Sequence, residues 1–315
     1  MIYLWVLLGV IFILLAVGFG AFYYAFVRRR IADPLTEEGR KAGGWEDYAE
    51  EITASADWLA KQPVKPLQVV SYDGKRLYGR FVPRENAKGT IVFFHGYRSH
   101  YAVDFSASMR FYHELGYNAL YCDQRAHGLS QGRVITFGIK ERYDVLSWVT
   151  YLGLMLGQEH PIFLSGLSMG AATVLMAADM EFPANVRGII ADCGFTSPGD
   201  QLRYLLKNKY HLPPRLTAGA LGIFTRIFGG FGIDQWSTTE ALWQAKYPLL
   251  LVHGLADHFV PSEMSQRAYD ACMGKKRLEL FPDAGHGISY LADRPRYQAV
   301  LMEFLKENNP NEEPI

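Results

Sequence analysis

The stretch FLSGLSMGAATVLMAADM, Phe163 to Met180, decides the fold. It opens on FLSG, the end of the apolar run PIFLSG (161–166), and runs into AATVLMAA, rich in strong helix formers. A short apolar run bounded by glycine reads as a buried strand, and the Ala/Leu/Met-rich run reads as a helix. Between them stands Gly166-Leu167-Ser168-Met169-Gly170, the pattern G-x-S-x-G. A serine at such a junction sits in a strained turn that presents its hydroxyl, and small flanking residues let strand and helix approach closely. Ser168 is therefore a candidate nucleophile. The bland alternative is an ordinary glycine-rich βα turn, and the rest of the chain weighs against it.

Other short apolar runs surround this one: GTIVFFHG (89–96), YNALYCD (117–123), RGIIADC (187–193), YPLLLVHG (247–254) and KRLELFPDAGHG (276–287). Helical stretches lie between most of them. Apolar strands alternating with helices predict a mostly parallel sheet covered on both faces. Ahead of them, two alternating runs flank Asp73-Gly74, the signature of a hairpin. From about 195 to 245 the alternation stops. That segment holds Pro198, Pro213, Pro214 and the glycine-rich apolar patch GALGIFTRIFGGFGI (219–233), and it reads as a helical cap inserted into the domain.

A nucleophilic serine needs a base, and the base needs an orienting acid. In open α/β sheets these groups gather beyond the carboxyl ends of the strands. The histidines after Ser168 are 211, 253, 258 and 286. His286, in the loop after the last strand, is the candidate base. His253 closes a strand and reads as structural, His258 adjoins an acid candidate, and His211 lies in the cap. Asp257 is the candidate acid, with Asp192, at the end of the preceding strand, as runner-up. Asp283 is too near His286 in sequence to reach round the ring. Acyl transfer also needs two N–H donors for the oxyanion. Met169, at a helix N-terminus, and Tyr97, in the loop after His95-Gly96, are the candidates.

The chain has 315 residues, 49% of them hydrophobic, and its 32 basic and 32 acidic residues cancel. This allows one large core and implies no general attraction to nucleic acid. The cysteines at 122, 193 and 272 form no close pair, so each reads as a small buried hydrophobe in a reducing compartment. Ile2 to Val27 carries no charge. As a helix it would run roughly 39 Å against a hydrocarbon core of about 30 Å. Aromatic residues flank it, and Arg28, Arg29 and Arg30 follow. The expectation is a single-pass membrane anchor over 1–30 with a cytoplasmic domain behind it; a cleaved signal peptide fits less well, because no basic residue precedes the apolar run. Residues 31–66 read as a linker with an amphipathic helix marked by Trp45, Tyr48, Ile52, Ala56 and Leu59 that packs on the domain. The domain itself is expected over 67–315.

Together, HGY (95–97), DQRAHGLSQG (123–132), GLSMG (166–170), HGLADHFVP (253–261) and AGHG (284–287) resemble the α/β-hydrolase superfamily over roughly residues 67–308. Within it the chain looks most like bacterial membrane-anchored hydrolases related to serine aminopeptidases and monoacylglycerol lipases. The resemblance implies an α/β-hydrolase fold and a triad Ser168, Asp257, His286. It implies structural or pocket roles for Asp123, Arg125 and His127. HGYR stands where many lipases and esterases carry HGGG. The expected activity is hydrolysis of a carboxylic ester, with a hydrophobic acyl group suggested by the apolar cap patch and the membrane tether, taken from a small or lipid-like substrate, without metal or organic cofactor. Thioester hydrolysis (depalmitoylation) and peptide hydrolysis share the chemistry. A non-catalytic binding scaffold at the membrane is the alternative of a different class.

Overall fold

The computed structural model describes residues 1–30, 32–43 and 46–312, without the side chains at 10, 11, 14, 42 and 43. Trp45 of the expected amphipathic helix and the last residues, 313–315, lie outside them. Eight strands form one sheet: β1 (Lys65–Val70), β2 (Arg76–Val82), β3 (Gly89–Phe94), β4 (Tyr117–Cys122), β5 (Ile162–Leu167), β6 (Val186–Asp192), β7 (Leu249–Gly254) and β8 (Lys276–Phe281). Their order is β1-β2-β4-β3-β5-β6-β7-β8. β2 runs antiparallel to both its neighbours, and every pairing from β4 to β8 is parallel. The Asp73-Gly74 turn closes the hairpin, with Gly74 at φ +76°. A left-handed residue there matches the twist of the two strands.

β3, β4 and β7 are buried along their whole length, as strands covered on both faces must be. Alternate residues feed two cores. Val92, Phe94, Leu164 and Leu251 face Trp148 and Leu175 on one side. Ile91, Phe93, Phe163 and Leu250 face Met109, Leu301 and Phe304 on the other. The first layer is built from α6 (Glu141–Leu156), α7 (Met169–Met176), α10 (Thr238–Trp243) and α11 (Glu263–Ala271). The second is built from α4 (Tyr101–Asp104), α5 (Met109–Glu114) and α13 (Arg294–Asn308), after the short α12 (Ser289–Ala292).

Before the sheet come α1 (Ile2–Phe26), α2 (Glu37–Gly43) and α3 (Ala49–Leu59). α3 is tied to the domain: Ile52 is buried, the Ser55 hydroxyl donates to the Ser106 carbonyl, and Trp58 meets His113 edge-on at 5.2 Å. β1 begins at Lys65 and so takes the last two residues of the segment read as linker. The 195–245 segment holds α8 (Pro198–Asn208), α9 (Pro214–Phe224), a π-helical turn at Thr225–Gly229 and α10.

The expected membrane-spanning anchor requires correction. Among the described residues, no helix is long and apolar enough to cross a membrane. The C-terminal turns of α1 are committed to the protein. Phe22 and Phe26 are buried in a third core with Phe224, Phe231 and Ile233. At Gly18 the backbone passes so close to Phe224 that a Cβ would stand 2.4 Å from its ring. The apolar patch of the cap therefore packs on α1. The N-terminal turns of α1 remain exposed, Trp5 and Phe12 among them.

Candidate active site

Ser168 ends the β5 turn at φ +55° and ψ −113° and leads into α7. Such a conformation is strained for a residue with a Cβ. Both flanking glycines are needed for space: a Cβ on Gly166 would lie 2.3 Å from the Gly170 carbonyl, and one on Gly170 would lie 1.8 Å from the Phe94 oxygen. The turn is pinned where the Ser168 N–H donates to the Asp192 carbonyl at 2.9 Å.

The loop after β8 brings His286 over the serine. Nε2 of His286 lies 2.9 Å from Ser168 Oγ, and Nδ1 lies 2.7 Å from Asp257 Oδ2. Gly287, at φ +70°, turns the chain back immediately afterwards. Asp257 is buried, and its Oδ1 accepts the N–H groups of Phe259 and Val260, each at 2.8 Å. Burial alone would raise its carboxyl, but hydrogen bonds from His253 and His286, the charge of His286 and the Val260 N–H hold it well below the usual range. His253 is a second imidazole on this acid. Its Nε2 donates to the Val260 carbonyl at 2.9 Å and faces Asp257 Oδ2 at 3.3 Å, while its Nδ1 accepts the Ser265 hydroxyl at 2.6 Å.

The runner-up acid, Asp192, does not meet the imidazole of His286. It accepts the Ser289 hydroxyl at 3.2 Å, and burial pushes its carboxyl up to about 6 against the pull of His253, Ser289, Tyr297 and His286. His258 and His211 are exposed, as is Asp283.

The candidate oxyanion donors flank the same serine. Met169 is the first residue of α7, and its N–H points out of the helix end. Gly96 packs against Ser168, and its own N–H is taken by Asp104 Oδ2 at 2.6 Å. The Arg98 N–H is taken by His127 Nε2 at 3.0 Å. Among the described residues, neither Tyr97 N–H nor Met169 N–H has an acceptor. Asp104, which also accepts the Ser99 hydroxyl, shapes this loop and escaped the sequence reading. It lies on a single helical turn, eight residues from Gly96, with no motif around it.

The DQRAH stretch supports the loop. Gln124 N–H donates to His95 Nε2 at 3.1 Å. Asp123 pairs with Arg80 at 2.9 Å, and Arg125 holds Asp144 through two nitrogens at 2.7 and 2.5 Å. All three cysteines are free and buried. The thiol of Cys193, at φ +49°, lies within 4.8 Å of the Asp257 and His286 ligand atoms, and burial pushes it well up, so it is held as a thiol.

A cavity of about 300 Å³ opens beside Ser168. Phe105, Ser108, Leu167, Ile288 and Leu291 are among its walls. Among the described residues, none from the 195–245 insert lines it. The cap patch therefore carries no argument about the acyl group, contrary to the sequence expectation.

A family model described as "Serine aminopeptidase, S33" matches residues 85–237, which includes Ser168 and stops before Asp257 and His286. The chain is 27% identical over 270 residues to the protein YqkD of Bacillus subtilis, covering 85% of this chain and 86% of the relative. It is 25% identical over 247 residues to YfhR of Escherichia coli K12, covering 76% and 79%. Among solved structures, the esterase Pf2001 of Pyrococcus furiosus superposes with a TM-score of 0.63 at 25% identity, covering 79% of this chain and 94% of that one. With this sheet order, this strand–serine–helix turn and these likenesses, the chain belongs to the α/β-hydrolase superfamily.

Proposed function

We propose that the chain is a serine esterase that cleaves carboxylic esters through an acyl-enzyme. The observation that carries this reading is the continuous relay from Asp257 through His286 to Ser168 at 2.7 and 2.9 Å. His286 takes the serine proton, Ser168 attacks the carbonyl carbon, and the N–H groups of Tyr97 and Met169 receive the oxyanion. His286 returns the proton to the leaving alcohol, and water then releases the acid by the same steps. Asp257 keeps the imidazole in the tautomer that faces the serine. No metal or organic cofactor enters this cycle. The apolar cavity walls suit a hydrophobic acyl group, and the structural likeness to an esterase supports an ester substrate.

An aminopeptidase reading is less well supported. A free N-terminal amine needs an open carboxylate, and the acids on the cavity wall are Asp104, bound to Gly96 and Ser99, and Asp192, bound to Ser289. Attachment to a membrane surface through the exposed turns of α1, with Arg28–Arg30 and the domain on the cytoplasmic side, belongs to the same proposal. Protease added outside intact cells tests that part: digestion of the domain rules it out.

The catalytic part is tested with p-nitrophenyl esters from C2 to C16 and a fluorophosphonate probe, on wild type and Ser168→Ala. Hydrolysis and labelling that vanish in the variant support the reading. Absence of both from wild type rejects it.

A further inference from the structure

The last four carbonyls of a helix lack partners inside it, and three of those at the end of α1 are met by two side chains of the loop that carries the candidate oxyanion donor. The Tyr97 hydroxyl donates to the Ala25 carbonyl at 2.7 Å. Nη2 of Arg98 donates to the Tyr24 carbonyl and, at 3.1 Å, to the Val27 carbonyl. The remaining carbonyl, that of Phe26, accepts Ile135 N–H at 2.8 Å. A guanidinium at the negative end of a helix is favoured by the dipole as well.

These bonds act on a backbone under tension. Arg98 holds φ +50°, a left-handed conformation for a residue with a long side chain. Its guanidinium lies 4.8 Å from the Tyr97 ring centre, and that ring stacks on Phe137 at 4.9 Å. Phe137 in turn meets Phe26 edge-on at 5.4 Å. Burial pushes the Tyr97 hydroxyl up to about 12, so it remains a donor. Asp104 and His127 fix the N–H groups on either side of Tyr97. Between these two fixed points the Tyr97 side chain is a further hold on the peptide that carries the Tyr97 N–H, and that side chain ends on α1.

We infer that the C-terminal turn of α1 is a positioning element of the oxyanion hole, with Tyr97 and Arg98 as the positioning side chains that link the seat of α1 to turnover at Ser168. This rests on the serine-esterase reading. A donor that is misdirected rather than deleted loses part of the effect of a whole oxyanion-hole donor, which is about 10²- to 10³-fold in kcat.

The test uses the full chain in detergent, with kcat and KM for p-nitrophenyl butyrate, the rate of fluorophosphonate labelling, and thermal unfolding. Tyr97→Phe removes only the hydroxyl and keeps the ring and the N–H. Tyr97→Phe and Arg98→Ala are each expected to lower kcat and the labelling rate about 10-fold or more, with KM changed by less than about 3-fold. Arg98→Lys, which can still reach one carbonyl, recovers part of the loss. If kcat for Tyr97→Phe stays within about 2-fold of wild type, the inference is overturned. A kcat loss that comes only with a matching loss of folded protein overturns it too. If Arg98→Ala does not fold, Tyr97→Phe decides alone. A wild type that neither turns over nor labels rejects the esterase reading itself, which separates the two failures.

Discussion

The α carbon of Gly170 packs so tightly on the end of β3 that a methyl group there would lie 1.8 Å from the Phe94 carbonyl oxygen. The obstacle is backbone on both sides, so no side chain can move aside. Gly170→Ala is expected to cost several kcal/mol and to yield little soluble protein. Gly219, in α9, has nothing within 4 Å of its built Cβ, and Gly219→Ala should stabilise by about 0.5–1 kcal/mol. Urea midpoints for both variants check this. Equal, small effects would show that the close approach at Gly170 is relaxed in solution.

On the proposed mechanism, Asp257 holds the tautomer of His286 while remaining outside the bond-making steps. Asp257→Asn should therefore reduce kcat by about 10⁴-fold while leaving KM within a few-fold. Asp192→Asn, which does not touch the imidazole of His286, should cost far less. Steady-state kinetics on p-nitrophenyl butyrate compares them. Comparable losses would mean that Asp192 shares the role of the acid.

The raised carboxyl of Asp192 predicts a pH-dependent stability. It titrates near 6 in the folded chain against an ordinary 3.8. Between those values the unfolded chain has released the proton and the native chain retains it. Its contribution to stability therefore falls as pH rises through that window and is level above it. Asp192→Asn abolishes this slope. The stability of the variant relative to wild type should be greater at pH 8 than at pH 4, by on the order of 3 kcal/mol. Urea unfolding at the two pH values measures it, and a difference independent of pH would rule out a buried carboxyl that resists ionisation.

Arg125 and Asp144 form a buried ion pair, and neither lines the cavity beside Ser168. Arg125→Met leaves the carboxyl of Asp144 buried without its cation and should destabilise by about 3–5 kcal/mol. Arg125→Met with Asp144→Leu should recover much of that loss. Rates per folded molecule are expected to stay within about 2-fold of wild type in both. A selective loss of kcat without loss of stability would place Arg125 in the chemistry.

The strand–serine–helix turn was legible because its requirements are local. The contact of Gly166 with Gly170 and the strained turn at Ser168 act within five consecutive residues, although Gly170 also meets β3, and the apolar runs on either side announce strand and helix by composition alone. Chain order and loop position likewise singled out His286. The choice between Asp257 and Asp192 was not local, since both end neighbouring strands, and only the packed sheet determines which carboxylate reaches Nδ1 of His286. Asp104 and the second imidazole, His253, were illegible as site residues because their partners come from different turns of the fold.

The apolar N-terminus shows the division most clearly. Its composition favoured a long apolar helix, because such a segment satisfies its backbone hydrogen bonds within itself. What that helix touches was not in the composition. Leu, Phe and Gly bury as readily against lipid as against protein, since the hydrophobic effect is non-directional. Tertiary packing committed Gly18, Phe22 and Phe26 to the cap and the helix-end carbonyls to Tyr97 and Arg98. It also moved the cap patch away from Ser168. By itself, the sequence determined the sheet, the turn and the residue types available for acyl transfer. Long-range contacts decided which carboxylate, which pocket wall and which helix end those residues would meet, because such contacts depend on distances that no local pattern records.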